Sequence, residues 1–310
     1  MKKIITLTLN PAFDVHCHIE NFSLYHEHLA RITDRDASGK GINISRALKA
    51  CGTESLALMV LGDENGESFA HAIKADGLSF KSVTVPGRIR ENITVHTNGA
   101  PETRISFAGF SADKSLLTQV NALLEGEIDS NTIITFTGRN PDGLDMADVK
   151  YFIRGLEARG ARVVIDSRSF TLDDILDVRP WMIKPNEEEI SVYLGRPIES
   201  FEEVAAAAEE LYCKGIANVM ISLGSKGAMI VCKNGRFVAT PPSIDAISTI
   251  GAGDSSIAGF LAAIAEGEAP EEALRRAVCY GSGACMTEGT RPPKAEDVKR
   301  LMHLVTLKEI

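Results

Sequence analysis

From about residue 115 onward the chain alternates between helix-like and strand-like segments, and the strand-like ones have no polar face. A helical pattern over 115–125 precedes Thr132-Ile133-Ile134-Thr135-Phe136-Thr137. One over 145–159 precedes Ala161-Arg162-Val163-Val164-Ile165-Asp166, and one over 202–214 precedes Asn218-Val219-Met220-Ile221-Ser222. Strands that are apolar on both faces must be covered on both faces, and a helix between successive strands lets them run parallel. The expected fold is therefore α/β: a doubly wound, mainly parallel sheet with helices on both sides.

The rest of the chain extends this rhythm and twice interrupts it. Ile4 to Leu9 reads as a first strand ending at Asn10-Pro11, residues 42–51 as a helix stopping at Gly52, Ser55 to Leu61 as a central strand, and 66–76 as a helix. Strands at 227–232 and 236–239 flank Asn234-Gly235, and helices are expected near 253–266, 271–286 and 295–304. The first interruption, about 12–36, sets Val15, Cys17 and Ile19 against His16, His18 and Glu20. The second, about 87–108, places Ile89, Ile93 and Val95 before Asn98-Gly99, and Ile105 and Phe107 after it. Both read as a small β lid on a single domain spanning 1–310. The Val15, Cys17, Ile19 stripe is a surface for a second subunit's lid, so a homodimer through the lid is expected.

Composition narrows the partners. The 310 residues are 44% hydrophobic and 24% charged, enough for a packed core. A formal net charge of −9 argues against nucleic acid or anionic lipid as partner and requires a local basic pocket for any phosphorylated substrate. The six cysteines, Cys17, Cys51, Cys213, Cys232, Cys279 and Cys285, lack the two-residue gap of a metal or redox motif and read as reduced thiols. No stretch approaches ~20 apolar residues. The N-terminal run alternates with threonine as a strand does, unlike a signal peptide, so a cytoplasmic protein is expected. His26-Glu27-His28 lacks the spacing of a helical zinc-protease motif.

Two small-residue loops lead into helices. Ile250-Gly251-Ala252-Gly253-Asp254 precedes a segment with helical apolar spacing. Glycines let backbone N–H groups approach an anion at a helix N-terminus. Asp254 fits two roles on spacing alone: an acidic N-cap, or a base that takes a hydroxyl proton while the backbone holds a phosphoryl group. The second loop, Asp36-Ala37-Ser38-Gly39-Lys40-Gly41-Ile42-Asn43, brings a cation and an amide to its mouth, which suits sugar hydroxyls and phosphate. It has no glycine five residues before Gly39-Lys40 and is not a P-loop.

Taken together, Thr8-Leu9-Asn10-Pro11-Ala12-Phe13-Asp14, Gly39-Lys40-Gly41-Ile42-Asn43, Ile183-Lys184-Pro185-Asn186-Glu187-Glu188-Glu189, Ser222-Leu223-Gly224-Ser225-Lys226-Gly227-Ala228 and Gly251-Ala252-Gly253-Asp254 resemble the PfkB branch of the ribokinase-like kinases over nearly the whole chain. The match is specifically to the phosphosugar subgroup that includes 1-phosphofructokinase and tagatose-6-phosphate kinase. The resemblance implies transfer of the γ-phosphoryl of ATP, with Mg2+, to a sugar-phosphate hydroxyl. Fructose 1-phosphate is the first expected acceptor and tagatose 6-phosphate the alternative.

By the same resemblance Asp254 is the base, and Gly251, Ala252 and Gly253 form the anion hole. Asn186 and Glu189 order magnesium, usually through water, and Lys184 sits near the nucleotide phosphates. Ser222, Gly224 and Gly227 pack on the nucleotide, Asp14, Gly39, Lys40 and Asn43 hold the sugar, and Arg90 grips the substrate phosphate. Glu187 and Glu188 are expected to be a solvated helix face.

Two positions depart from the family pattern: Ser38 stands where the subgroup carries glycine, and Arg139, in Thr137-Gly138-Arg139-Asn140-Pro141, stands where serine is common. Arg139 is expected to join Arg90 on the substrate phosphate. A non-enzymatic relative would be expected to have lost Asp254 or the glycine turn, and both are present.

Overall fold

The computed structural model describes residues 2–99 and 101–310. The strands are β1 (Lys3–Thr8), β2 (Ala12–His18), β3 (Arg31–Ser38), β4 (Leu56–Gly62), β5 (Ser79–Val85), β6 (Arg90–His96), β7 (Thr103–Ser106), β8 (Thr132–Thr137), β9 (Arg162–Asp166), β10 (Met182–Ile183), β11 (Asn218–Ser222), β12 (Ala228–Cys232), β13 (Gly235–Thr240) and β14 (Thr306–Glu309). The helices are α1 (Lys40–Ala50), α2 (Gly66–Ala75), α3 (Lys114–Leu123), α4 (Met146–Ala158), α5 (Leu172–Val178), α6 (Glu187–Leu194), α7 (Phe201–Cys213), α8 (Ala252–Glu266), α9 (Pro270–Cys285) and α10 (Ala295–Met302).

The main sheet of the described residues runs β14-β13-β12-β11-β10-β9-β8-β1-β4-β5. From β5 through β11 every neighbouring pair is parallel, and β12, β13 and β14 close the far edge antiparallel. The mainly parallel sheet expected from apolar periodicity is thus present. Two cores flank it: one gathers α2 through α7, with Phe69, Leu116, Ile153 and Leu211, and the other gathers α1, α8, α9 and α10, with Leu48, Phe260, Leu274 and Leu301. β1 pairs with β4 on one side and β8 on the other, so the winding reverses there. In open α/β sheets ligands bind beyond the carboxyl ends of strands at such a reversal.

Some elements escaped the apolar pattern. β5 carries Ser79, Lys81, Ser82 and Thr84 at the sheet edge, β14 is short and mostly exposed, and β10 has two residues. α5 and α6 are announced instead by capping boxes, Thr171 with Asp174 and Asn186 with Glu189.

The two interrupting stretches supply a second sheet, β3-β2-β6-β7. Its register sets Asp14 beside Asn92 and Ile93 beside Ile105, so alternate residues divide between a polar and an apolar face. Val15 and Cys17 are buried within this chain at 7% and 4% exposure, which corrects the expectation that they form an intersubunit stripe. Ile32 and Ile105, which share their face by register, remain 64% and 42% exposed. Among the described residues no helix is long and apolar enough to cross a membrane, and the six cysteines are free thiols.

Candidate active site

A cavity of about 580 Å³ opens at the carboxyl ends of β1, β8, β9 and β11, between the main sheet and the polar face of the second. It gathers Asp14, Ser38, Gly39, Lys40, Asn43, Arg90, Arg139, Lys184, Asn186, Glu189, Ser222, Gly251, Gly253 and Asp254 from seven separate stretches of chain. Six cations face four carboxylates within it, a local positive excess in a chain of net charge −9. Ala252, Gly224 and Gly227 stand outside its lining.

The glycine turn sets Asp254 in place. Gly251 has φ 78°, left-handed backbone that a side chain would strain, and α8 begins at the next residue. Asp254 therefore lies in the first helical turn, where N–H groups lack intrahelical acceptors. A Cβ on Gly253 would sit 3.3 Å from Lys184 Nζ, so the turn and the ammonium are in near contact. Ala252 N–H instead turns back to the Thr249 carbonyl at 3.4 Å.

Asp254 is 7% exposed and accepts a hydrogen bond from Asn43 Nδ2 at 2.9 Å. Burial pushes its carboxyl up to about 6, while the Lys40 ammonium and the Asn43 bond act in the opposite direction. A carboxyl poised near neutrality beside a solvent-reached cleft suits proton transfer.

A second buried acid, Asp166, closes β9. Lys40 Nζ donates to its Oδ2 at 2.8 Å, and Lys184 Nζ lies 3.7 Å from its Oδ1. Burial disfavours the Asp166 charge, but the Lys184 and Lys40 ammoniums outweigh it and hold the carboxyl below its usual range. Lys40 is raised above the usual lysine value: burial opposes its charge, and Asp166 and Asp254 overcome that. Asp166 did not emerge from the sequence as a site residue.

One wall of the cleft is built on the second sheet. Asp14 accepts from Asn92 Nδ2 at 2.7 Å and from Arg104 Nη2 at 3.2 Å, and Arg90 Nη1 lies 3.4 Å from Asn92 Oδ1. Arg90 is pulled below the usual arginine value by burial first and then by Arg139, with Asp14 opposing. Three guanidiniums, Arg90, Arg104 and Arg139, thus converge on one wall. Arg104 and Asn92 were not anticipated, since each lies within a short strand pattern. Ser38 ends β3, is 3% exposed, and lines the cavity without disturbing its pairing with Ala12.

Asn186 and Glu189 cap α6 reciprocally: Glu189 N–H donates to Asn186 Oδ1 at 2.7 Å and Asn186 N–H to Glu189 Oε2 at 3.1 Å. Arg168 Nε donates to the other Glu189 oxygen at 3.0 Å. Glu187 and Glu188 are exposed on that helix, as expected of a solvated face. Gly227, after β11, packs so tightly against the Ala239 carbonyl that a side chain would collide with it. Ser222 lines the cavity, whereas Gly224 is exposed beside it.

Several buried polar atoms of cleft residues have no partner within the protein: Thr8 Oγ1, Asn10 Oδ1, Asn43 Oδ1, Thr137 Oγ1 and Arg90 Nε. Buried polar groups are ordinarily paired. Unpaired donors and acceptors on cleft residues beside guanidiniums suit a ligand rich in hydroxyls and bearing an anion.

An open parallel sheet with such a cleft at its reversal, and a buried carboxyl behind a glycine turn, marks a phosphoryl-transferring enzyme. The chain belongs to the pfkB family of carbohydrate kinases, whose model, described as pfkB family carbohydrate kinase, matches residues 24–297. The 1-phosphofructokinase of Escherichia coli (strain K12) is 31% identical over 284 residues, covering 91% of this chain and 90% of the relative. The ATP-dependent 6-phosphofructokinase isozyme 2 of the same strain is 28% identical over 306 residues, covering 97% and 98%. Phosphofructokinase-2 from Escherichia coli in complex with fructose-6-phosphate superposes with a TM-score of 0.90 at 25% identity, covering 98% and 99%. The protein is therefore a sugar kinase and a phosphotransferase, of a family that implies ATP as the phosphoryl donor.

Proposed function

We propose that this enzyme transfers the γ-phosphoryl of ATP, with magnesium, to a hydroxyl of a ketohexose phosphate. The acceptor is fructose 1-phosphate and the product fructose 1,6-bisphosphate. One observation carries the reading: a buried carboxyl poised at about 6 and three guanidiniums share a single cleft. The first suits deprotonation of a hydroxyl, and the second suits a phosphate already on the acceptor.

In this reading Asp254 takes the hydroxyl proton as the acceptor oxygen bonds to phosphorus and the bond from phosphorus to the ADP oxygen breaks. Asn43 fixes the carboxylate through its 2.9 Å bond. Backbone N–H groups of Gly251 and Gly253 and the α8 N-terminus offset charge on the phosphoryl oxygens. Lys40 and Lys184, clamped by Asp166, add cations from either side. Asp14, Ser38, Gly39 and Asn43 hold the sugar, and Arg90, Arg104 and Arg139 hold its phosphate. Ser222, Gly224 and Gly227 shape the nucleotide side, and the second sheet acts as the lid.

The donor set fits a hydrated magnesium ion. Glu189 and Asn186 present oxygens to the cleft, yet both are engaged in the helix cap, and among the described residues no three His, Cys, Asp or Glu form a metal cage. Magnesium keeps several waters and is commonly held by one or two carboxylates with substrate phosphates. Asn186 and Glu189 would hold it, and when bound it would neutralise phosphate charge.

Two further features belong to this reading. The exposed Ile32 and Ile105 support a homodimer formed through the lid. The 28% identity to a 6-phosphofructokinase favours, as a second reading, an acceptor phosphorylated at C6.

An ADP-release assay over fructose 1-phosphate, fructose 6-phosphate, tagatose 6-phosphate and the unphosphorylated sugars tests the reaction and its acceptor. Fructose 1-phosphate should give the highest kcat/KM, and the free sugars should be far poorer. Preference for an unphosphorylated sugar, or binding of ATP and sugar phosphate without ADP formation, would refute the proposal.

A further inference from the structure

A second cavity, about 490 Å³, lies at the opposite end of the sheet, against the amino ends of β1, β9 and β11. Lys2, Arg162 and Lys233 line it from three separate stretches of chain. None of the three forms an ion pair among the described residues, although the chain has nine more acidic than basic side chains. Like charges left together without partners cost free energy, so three converging cations call for a counter-charge. The Lys2 ammonium is pushed below its usual value by burial and then by Arg162, with Asp129 opposing.

The acids nearby each have another partner: Asp129 accepts from the Asn131 N–H and from Thr132 Oγ1, both at 2.9 Å. Glu268, which also lines the cavity, pairs with Arg276, and Glu271 accepts from Asn234 at 2.9 Å. The Arg162 guanidinium is held 5.3 Å over the Trp181 ring, and Asn218 Nδ2 donates to the Trp181 carbonyl at 3.1 Å. Arginine and aromatic wall are therefore fixed in place by the fold.

This cavity is separate from the kinase cleft. Arg162 and Asp166 stand at opposite ends of β9, Trp181 and Lys184 flank β10, and Asn218 and Ser222 begin and end β11. At roughly 3.3 Å per residue, four steps of strand separate the two sites by about 13 Å. α8 likewise carries Asp254 at one end and Ile264 at the other.

We propose that this cavity binds a small phosphate-bearing molecule, its oxygens taken by Arg162, Lys2 and Lys233 and its remainder lying along Trp181. The guanidinium fork matches phosphate oxygens in pairs, and two ammoniums complete the charge of a dianion.

Trp181 is the chain's single tryptophan, so its emission reports on this cavity in the unmodified enzyme. Inorganic phosphate and glycerol 3-phosphate, titrated at constant ionic strength, should each change that emission saturably, and chloride should not. The pair Arg162→Gln/Lys233→Gln should weaken phosphate binding at least about tenfold, the loss expected from removing charged hydrogen bonds. Basal ADP-release turnover should be unchanged. Lys2→Gln/Lys233→Gln, which leaves the Arg162–Trp181 stack intact, should weaken it comparably and guards against misfolding or altered quenching in the first pair. No saturable change in the unmodified enzyme, or equal affinity in the Lys2/Lys233 pair, overturns the proposal.

Discussion

The two ends of the kinase cleft are built on opposite principles. At the end proposed for phosphoryl transfer, the acids are buried and the charges mutually fixed: Asp254 to Asn43, and Asp166 to Lys40 and Lys184, all at the ends of central elements. At the end proposed for the acceptor, three guanidiniums lie on short strands of the second sheet and on the loop after β8, partly open to solvent. The first end has a single arrangement available to it, because a buried charge without its partner is costly. The second can accommodate different anions. In the proposed function, the shared chemistry thus sits where the charges are fixed, and the choice of substrate sits where they are open.

Two buried acids of the rigid end separate chemistry from scaffolding, and asparagine at each should give the largest effects. Asp254→Asn should lower kcat about 10³-fold or more with ATP binding kept, as measured by single-turnover ADP formation. The same change should stabilise the protein. A carboxyl raised from 3.8 to about 6 binds its proton more tightly folded than unfolded. The charge therefore weakens the fold above about pH 6, and the penalty disappears as pH falls below the unfolded value. Removing that charge should add on the order of 2 kcal/mol at pH 7 in urea unfolding.

Asp166→Asn should do the reverse to stability. It leaves two lysines without their shared carboxylate, at a cost of about 2–3 kcal/mol, discounted because Lys40 is partly exposed. Its kcat should fall about 10²-fold through misplaced ammoniums. If both variants lost stability, the distinction between a destabilising base and a stabilising clamp would fail.

The contrast also governs what could be read from the sequence. Apolar runs such as Val163-Val164-Ile165 and glycine turns such as Gly251–Gly253 have local signatures, so the main sheet, most helices and the place of Asp254 at the start of α8 were legible. Asp166 was not, because one acid closing an apolar strand resembles any strand end. Its meaning comes from β8 and β10 standing on either side of β9, an ordering that no local pattern carries. Arg104 was hidden between Thr103 and Ile105, and only the register with β6 turns it toward Asp14. β5 and β14 were missed because edge strands need only one buried face. Val15 and Cys17 misled for a related reason: alternation shows that a face is apolar, but not which neighbour covers it.

Titration should affect the rigid end first. With the base at about 6, kcat/KM should hold steady above that pH and fall roughly tenfold per unit below it, as the carboxyl keeps its own proton. Asp254→Asn should flatten this limb, and Arg139→Ser should leave it in place. A limb that survived in Asp254→Asn would assign the titration to another group.

The smallest effect, and the one most informative about the open end, belongs to Arg139. It is exposed, follows Gly138 at φ 84°, and shares its wall with Arg90 and Arg104. Two guanidiniums remain when it is removed, and much of its charge is screened by solvent. Arg139→Ser should therefore raise KM for the phosphosugar only about three- to tenfold, near 1 kcal/mol, with kcat nearly unchanged. Arg90→Ala, which removes the more buried group, should cost more. The ratio of the Arg139→Ser effect on fructose 1-phosphate to that on fructose 6-phosphate then reports which acceptor places its phosphate against this side chain. Equal KM for both sugars in Arg139→Ser and the unmodified enzyme would remove Arg139 from phosphate binding and leave specificity to Arg90 and Arg104.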